Sequence, residues 1–179
     1  MSWSYKHIGD YDTSNLLEFI DGLTNDEWTQ WTFKQNSYAR VHHNTNTIPV
    51  LVDHEYELRR GKETKYYKLL ESEILKIEEV IKTTLGDGTT LRIEIAKLKS
   101  NTIIPEHVDT GNSLVVNSRI HLPLITNKNC VFKVNGVEKV IPVGELWEIN
   151  NGSLHGVTNL GEDRVHMIID FKKSPKVLI

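Results

Sequence analysis

The sequence predicts a mainly β fold, a jelly roll with flanking N-terminal α-helices. Three observations lead to this prediction. After about residue 88, the chain consists of short segments in which apolar and polar side chains alternate, as they do along half-buried strands. Turn-forming residues separate these segments every few positions. Before that point, apolar residues recur at helical spacing instead. Many short strands with frequent turns are typical of a sandwich or barrel.

Two helices are predicted in the first half of the chain. Asp12-Thr13-Ser14 is suited to cap a short helix that begins near residue 14. A longer helix covers about 63–85, and Gly86 is well placed to end it. The apolar side chains of this second helix follow helical spacing at Tyr67, Leu70, Ile74, Ile77 and Ile81.

Strands are predicted from residue 91 onwards. The segments are 91–96, 115–124, 130–134, 137–141, 146–149 and 164–171. Asn135-Gly136 favours a two-residue hairpin turn between two of them. Because no linker divides the chain, we predict a single domain over 1–179, with a helical part at about 1–88 and a β core at about 90–172.

Composition and charge exclude several classes of protein. The chain has 179 residues, of which 39% are hydrophobic and 25% charged, and its formal net charge is -3. These values are ordinary for a globular protein, and they favour neither nucleic acid nor an anionic membrane as a partner. Cys130 is the one cysteine, no apolar run approaches the roughly 20 residues that span a bilayer, and the N-terminus lacks a signal-peptide pattern. We therefore predict a cytoplasmic protein; the sequence does not predict its oligomeric state.

A candidate metal site lies in the β half. His107 and Asp109 are two residues apart, so in an extended chain their side chains lie on the same side. His155 lies far away in the sequence, after an Asn-rich loop. Two histidines and one carboxylate occupy one face of an octahedron and leave three positions open, an arrangement diagnostic of iron(II) oxygenases. For an isolated His-x-Asp, a surface histidine and a solvated aspartate are the commoner interpretation.

Charged side chains on two strands favour the metal-site interpretation. Arg119 and His121 share one face of their strand, and Arg164 and His166 share one face of the last strand. A buried arginine needs a partner, and a guanidinium binds a carboxylate bidentately, so a dicarboxylate cosubstrate would suit both arginines. The alternative is that they pair with internal carboxylates such as Asp170.

Five segments together resemble a known family, in both order and spacing. They are Ile104–Asp109, Ser118–Leu124, Gly144–Asn151, His155–Asn159 and Arg164–Asp170. Over the stretch from Ile93 to Phe171, the chain resembles the aspartyl/asparaginyl β-hydroxylase family of 2-oxoglutarate oxygenases, which also includes free-proline hydroxylases. The segment Arg40–Thr45 is similar as well.

The resemblance implies a double-stranded β-helix, a cupin-like jelly roll, with iron(II) at its mouth. It implies that the metal ligands, and hence the catalytic residues, are His107, Asp109 and His155. Some family members have glycine where Asp109 stands and bind the metal with two protein ligands. This sequence keeps all three.

The resemblance also implies a binding site for 2-oxoglutarate. Arg164 would bind the distal carboxylate, and Arg119 and His121 would bind the carboxylate nearer the metal. Ala96 departs from the family pattern, because some relatives have a serine there that helps to hold the cosubstrate. Another side chain or a water molecule would have to take that role.

The implied activity is hydroxylation of an unactivated C–H bond of an amino acid, with dioxygen as oxidant and with succinate and carbon dioxide as coproducts. The substrate would be a small molecule or a peptide: a free amino acid, or an Asp-, Asn- or Pro-type residue. The alternative is a cupin-like metal-binding module or a metal-dependent isomerase without 2-oxoglutarate turnover. Such a protein needs no pair of arginines for a dicarboxylate.

Other residues are weaker candidates. Arg40, His43 and Thr45 are candidates for the substrate site, and Arg40 would suit the carboxylate of a free amino acid; a polar surface loop is the alternative. Asn151 and Asn159 are candidates for orienting a metal-binding histidine or for holding turns.

Overall fold

The computed structural model describes residues 3–32, 42, 44–53, 57–109, 114 and 116–175. Within these residues the helices are α1 Ser14–Asp21, α2 Asn25–Thr29 and α3 Lys65–Leu85. The strands are β1 Tyr5–Asp10, β2 Thr45–Val52, β3 Lys62–Glu63, β4 Gly88–Leu98, β5 Thr102–His107, β6 Ser118–Ile125, β7 Cys130–Val134, β8 Val137–Lys139, β9 Glu145–Ile149, β10 His155–Asn159 and β11 Arg164–Lys173.

The strands form two antiparallel sheets. The larger sheet has the order β1-β9-β6-β11-β4-β2-β3, and the smaller has the order β5-β10-β7-β8. Every paired strand runs antiparallel to its neighbour. The prediction of a mainly β jelly roll with N-terminal helices is confirmed.

Helix α3 covers the outer face of the larger sheet. The Thr64 side chain caps it by accepting a hydrogen bond from the backbone N–H of Tyr66, and Gly86, at φ 84°, ends it. Its apolar stripe is buried together with α1 and α2 against the sheet in one core. No helix in the described part of the chain is both long and apolar enough to cross a membrane.

The two faces of the larger sheet differ in chemistry. On β11, Val165, Met167, Ile169 and Phe171 point outward into the core under the helices. The alternate residues of the same strand face the smaller sheet, and they include the buried Arg164, His166 and Asp170. Because successive side chains of a strand point to opposite faces, one face of the larger sheet is apolar and packs in the core under the helices, and the other carries the polar side chains.

The N-terminal part of the chain supplies strands as well as helices. The part at about 1–88 was predicted to be helical, but β1 pairs with β9, and β2 pairs with β4. Strand β2 was missed because it contains Pro49, which normally argues against a strand. Pro49 lies at an irregularity in the pairing with β4 and outside the short stretch that pairs with β3. A missing N–H is tolerated at such a position.

Most predicted element boundaries agree with the structure. The hairpin turn is confirmed, since Asn135 and Gly136 both have positive φ, 51° and 78°. The strand predicted from residue 115 starts later, at Ser118, and Leu114 and Val116 are helical. The Asn151 side chain donates a hydrogen bond of 2.6 Å to the Leu114 carbonyl, which holds this segment away from the sheet ladder.

Candidate active site

Strand pairing brings the two predicted histidine ligands together. His155 at the start of β10 lies directly opposite His107 at the end of β5. The pairing is irregular at Gly156, where the strands approach so closely that an added methyl group would lie 2.8 Å from the Ile104 carbonyl oxygen. Glycine is required there to let the two backbones meet. Residues 48 positions apart thereby become neighbours.

The three predicted ligands converge on one point. One ligand atom from each of His107, Asp109 and His155 lies within 4.8 Å of the other two. Asp109 Oδ1 is 3.6 Å from His107 Nε2 and 3.9 Å from His155 Nε2, and the two imidazole centroids are 4.4 Å apart. Two atoms bound to one cation at about 2.0–2.2 Å can be at most about 4.4 Å apart, and both separations from Asp109 Oδ1 lie within that limit.

The backbone fixes which nitrogen each histidine presents. His107 Nδ1 lies 2.8 Å from the Pro105 carbonyl, and His155 Nδ1 lies 2.9 Å from the Ser153 carbonyl. A carbonyl accepts only from an N–H, so both rings carry their proton on Nδ1 and leave the Nε2 lone pair for a metal. Burial lowers the pKa of His155. Burial also opposes protonation of His107, but the neighbouring Asp109 outweighs it and raises the pKa of His107.

Asp109 is oriented by two donors on its other oxygen. Arg119 Nη1 donates to Oδ2 over 2.6 Å, and Asn151 Nδ2 donates to the same atom over 3.2 Å. Oδ1 is left facing the histidines. Burial opposes ionisation of Asp109, but the Arg119 charge outweighs it and holds the pKa of the carboxyl well below its usual range. The carboxylate is therefore ionised and aimed before any cation arrives.

Replacing Asn151 with alanine is expected to weaken metal binding roughly 10- to 100-fold, the usual cost of losing a group that orients a ligand. The measurement is a competition titration with a chromophoric chelator on the folded protein. Asn150→Ala is the matched control, because the Asn150 amide donates to the Trp3 carbonyl, not to Asp109. Equal affinities of the two variants would show that Asn151 does not position the carboxylate.

Asp170 holds the guanidinium of Arg119 in place from the neighbouring strand. On the central strand β11, Asp170 lies opposite Arg119 of β6 and Arg92 of β4. It accepts from Arg119 Nε at 2.9 Å and Nη2 at 3.1 Å, and from Arg92 Nε at 3.0 Å. Burial opposes its ionisation, and the Arg119 charge then lowers the pKa of Asp170 below its ordinary value. One buried carboxylate thus holds two guanidiniums in place.

Asp170→Asn is expected to cost about 3–5 kcal/mol of stability at pH 7, because it leaves two guanidiniums short of charge compensation. The lowered pKa of Asp170 means that its ion pairs stabilise the fold fully above the ordinary value of 3.8 and progressively less as the pH falls below it. Urea unfolding at pH 7 and pH 3 measures this. The gap between wild type and variant should narrow in acid.

An Asp21→Asn variant serves as the control for that comparison, since Asp21 is exposed at the end of α1. It should unfold like the wild type at both pH values. A gap between wild type and Asp170→Asn that stays constant with pH would contradict the assigned role of the buried carboxylate.

A cavity adjoins the three ligands and collects the other predicted site residues. Its lining includes the three ligands together with Arg119, His121, Arg164, Thr45 and Ala96. Arg164 is 2% exposed, and its Nε has no hydrogen-bond partner among the described residues. Its guanidinium lies over the Phe132 ring at 5.0 Å and beside the Cys130 thiol, with no acidic side chain among the neighbours that shift its pKa. Burial lowers the pKa of Arg164.

Arg119 has carboxylate partners within the protein, whereas Arg164 has none among the neighbours that shift its pKa. An isolated buried guanidinium is costly, whereas one that meets a ligand carboxylate is not. Arg119 makes the internal ion pairs with Asp109 and Asp170 that stood as the alternative to a cosubstrate contact. Its assignment to 2-oxoglutarate stays a prediction.

The weaker candidates have four different outcomes. Thr45 lines the cavity, while Arg40 and His43 lie outside the described residues. Asn151 was predicted to orient a histidine or to hold a turn, and it orients Asp109 instead. Asn159 holds a turn, since its amide donates to the carbonyls of Lys99 and Glu162.

Two histidines at the site were not predicted as site residues. His42 lines the cavity, and its ring lies edge-on to His107 with 5.9 Å between centroids. His166 lies behind the cavity with Nδ1 3.4 Å from Nδ1 of His121. The alternation of β11 had placed His166 on the same face as Arg164, which was the signal for its involvement.

A jelly roll that presents two histidines and one carboxylate around one point, beside a cavity with a buried arginine, has the architecture of mononuclear non-haem iron enzymes. The family is shown by sequence. Residues 4–174 match the family model described as aspartyl/asparaginyl beta-hydroxylase, so this chain belongs to that family and is an enzyme of the hydroxylase class. A comparison with curated proteins finds no significant match.

Solved structures share the fold at low sequence identity. An oxidoreductase of the 2OG-Fe(II) oxygenase family from Burkholderia pseudomallei is 14% identical, with a TM-score of 0.59 over 79% of this chain and 78% of that one. The viral collagen prolyl hydroxylase of Paramecium Bursaria Chlorella virus-1, solved with 2OG, is 7% identical, with a TM-score of 0.56 over 97% and 98%. A Pseudomonas putida prolyl-4-hydroxylase is 12% identical, with a TM-score of 0.52 over 96% and 94%.

Proposed function

We propose that this protein is an iron(II)- and 2-oxoglutarate-dependent dioxygenase. It hydroxylates an unactivated C–H bond of an amino acid, free or within a peptide. Dioxygen supplies one oxygen atom to the substrate and one to succinate, and 2-oxoglutarate loses carbon dioxide. The two prolyl hydroxylases among the similar structures and the family's own description support an amino-acid substrate.

The observation that carries the proposal is the convergence of three ligand atoms beside an uncompensated arginine. His107, Asp109 and His155 offer two neutral nitrogens and one carboxylate oxygen, a donor set that suits ferrous iron. All three line one cavity, so a metal held by them would be next to the space in which a ligand could bind. The residues present therefore fit the metal that the family implies.

Arg164 separates this proposal from a metal-binding module without 2-oxoglutarate turnover. Both arginines were predicted to bind a dicarboxylate, but the charge of Arg119 is compensated by Asp109 and Asp170. Arg164 instead lies beside Phe132 and Cys130, with no carboxylate among the neighbours that shift its pKa. A distal carboxylate of 2-oxoglutarate would supply the missing negative charge.

The chain's own residues have distinct tasks in this reaction. The triad holds the metal, and a ferrous ion bound there supplies the site at which 2-oxoglutarate and dioxygen react. Arg119 and Asn151 keep one oxygen of Asp109 away from the metal position. Apolar side chains such as Ile104, Phe132 and Val157 line the cavity and exclude water from it.

The prime substrate enters on the side of His42 and Thr45. Both residues line the cavity, and His42 lies against the ligand His107. Arg40 and His43 stay candidates from the sequence for the substrate site, and an amino-acid carboxylate is the chemistry that an arginine would bind. A cytoplasmic location stays a prediction.

The test is product formation by anaerobically prepared protein after addition of iron(II), 2-oxoglutarate and air. Free amino acids and short peptides are supplied in turn, succinate is quantified, and substrates are examined by mass for the gain of one oxygen. Succinate that depends on iron and 2-oxoglutarate, together with one oxygenated substrate, supports the proposal. No succinate with any substrate, and no change in melting temperature with 2-oxoglutarate, would contradict it.

A further inference from the structure

Two buried histidines meet behind the cavity. His121 on β6 and His166 on β11 are 5% and 1% exposed, and their Nδ1 atoms are 3.4 Å apart. In the ladder His121 lies opposite Ile168, two residues from His166, so the two rings meet along a diagonal of the sheet. Of the two, only His121 lines the cavity.

The surroundings keep this pair neutral and fixed. Phe132 stacks on His166 at 5.5 Å and lies edge-on to His121 at 5.2 Å. Burial, reinforced by the Arg164 charge, lowers the pKa of both histidines well below the usual value. Each ring therefore carries one proton, and the contact between the two Nδ1 atoms needs one N–H and one lone pair.

The remaining nitrogens of the pair have no partner in the described part of the chain. These are Nε2 of His121 and Nε2 of His166, both shielded from solvent. Across the ladder His166 lies opposite Ala96 and Pro123, neither of which has a side chain that can form a hydrogen bond. Among the described residues, His121 is thus the one hydrogen-bond partner of the His166 ring.

The direction of the contact between the rings decides what His121 offers the cavity. If His166 donates, His121 has a bare Nδ1 and a proton on Nε2, and it presents a donor. If His121 donates from Nδ1, its Nε2 carries no hydrogen, and the lone pair on Nε2 repels a carboxylate. Two arginines line the cavity, and Arg119 is already paired with Asp109 and Asp170, whereas Arg164 is not paired with a carboxylate. An anionic ligand that binds beside Arg164 therefore requires the first arrangement of His121.

We propose that His166 is a positioning residue that donates from Nδ1 to Nδ1 of His121, and thereby fixes His121 as an Nε2–H donor to the carboxylate of the bound 2-oxo acid. The inference rests on the proposed function. It assigns a role to a histidine that neither binds the metal nor lines the cavity.

The direct test is the protonation pattern of the two rings. Protein with ¹⁵N-labelled histidine is loaded with Zn(II) and N-oxalylglycine, a 2-oxoglutarate analogue that is not turned over. Two-bond ¹H–¹⁵N correlations then report which nitrogen of each ring carries hydrogen, and His121→Asn and His166→Asn spectra assign the signals. We expect the proton on Nε2 of His121 and on Nδ1 of His166. A proton on Nδ1 of His121 would overturn the inference.

Affinity provides the second readout. Calorimetry on the Zn(II)-loaded protein should show N-oxalylglycine binding about tenfold more weakly to His166→Leu, the scale of one hydrogen bond to a charged group. His166→Asn places an amide N–H near the former Nδ1 and should bind within about threefold of wild type. Zn(II) affinity should stay unchanged in both, because His166 does not touch the metal ligands.

Met167→Leu is the packing control, since Met167 neighbours His166 but points into the opposite core. It should bind N-oxalylglycine like the wild type. His166→Leu with wild-type affinity, or with a loss equal to that of Met167→Leu, would overturn the inference. If the wild type itself does not bind N-oxalylglycine, the proposed function fails and this inference fails with it.

Discussion

Replacing His155 with alanine is expected to reduce succinate formation to background. The triad has three protein ligands, and His155 is the one that connects the metal position to β10. Removing a ligand costs more than removing a group that orients one, so metal affinity should fall by roughly 100-fold or more. Without bound iron, neither 2-oxoglutarate nor dioxygen has a place to react.

The same variant should lose the stabilisation that metal gives the wild type. A metal at 100 times its dissociation constant stabilises the folded state by about 2.7 kcal/mol, which raises the melting temperature by roughly 5–10 °C for a chain of this size. Differential scanning fluorimetry with and without Zn(II) measures the shift. His7→Ala is the matched control, because His7 lies on the edge strand β1 and is partly exposed. Metal-dependent stabilisation of His155→Ala equal to that of wild type would remove His155 from the ligand set.

Replacing Arg164 with leucine is expected to increase the KM for 2-oxoglutarate by a factor between about 30 and several thousand. The basis is the cost of truncating one partner of a buried charge pair, about 2–5 kcal/mol. Arg164 does not add a comparable amount to the free energy of unfolding of the ligand-free protein. It is buried, and no carboxylate of the protein is among the neighbours that shift its pKa. Replacing such a charge with an apolar side chain is neutral or stabilising.

Stability therefore separates a binding role of Arg164 from a structural one. The Arg164→Leu protein without ligand should unfold in urea at the wild-type concentration or above it, while its KM rises. Arg59→Leu, at an exposed position, is the matched control and should change neither value. A destabilised Arg164→Leu protein with an unchanged KM would show that this arginine is part of the scaffold.

The sequence predicted which side chains share a strand face, because alternation along a strand determines the face. The spacing of Arg119 and His121, and of Arg164 and His166, predicts shared strand faces without knowledge of which strands pair. The apolar stripe of α3 likewise predicts its length and its buried face. In both cases a short-range period carries the information, and the resemblance to a family then supplied the residue roles.

The sequence did not predict strands whose formation depends on pairing with a neighbouring strand. Strands β2 and β5 contain Pro49 and Pro105, and both were missed because proline argues against a strand. Among the described strands β5 pairs with β10 alone, so a residue without an N–H is tolerated on the other side of β5. The strand propensity of single residues does not show which side of a strand is hydrogen-bonded to another strand.

Pairing also decided the role of Arg119. Its sequence pattern is equivalent to that of Arg164, yet only Arg119 faces Asp170 across the ladder. Arg164 is on β11, the same strand as Asp170, and it lies opposite Leu98 of β4, so no carboxylate faces it across that pairing. The prediction of a dicarboxylate ligand therefore depends on Arg164.

The proposed function requires that a metal bound by three protein side chains lies next to an acid bound by Arg164. A crystal structure of the protein prepared anaerobically with iron(II) and N-oxalylglycine would show both. We expect one metal ion about 2.0–2.2 Å from His107 Nε2, Asp109 Oδ1 and His155 Nε2, with a carboxylate of the analogue on the Arg164 guanidinium. Imidazoles that diverge from a vacant centre, or an analogue bound away from Arg164, would contradict it.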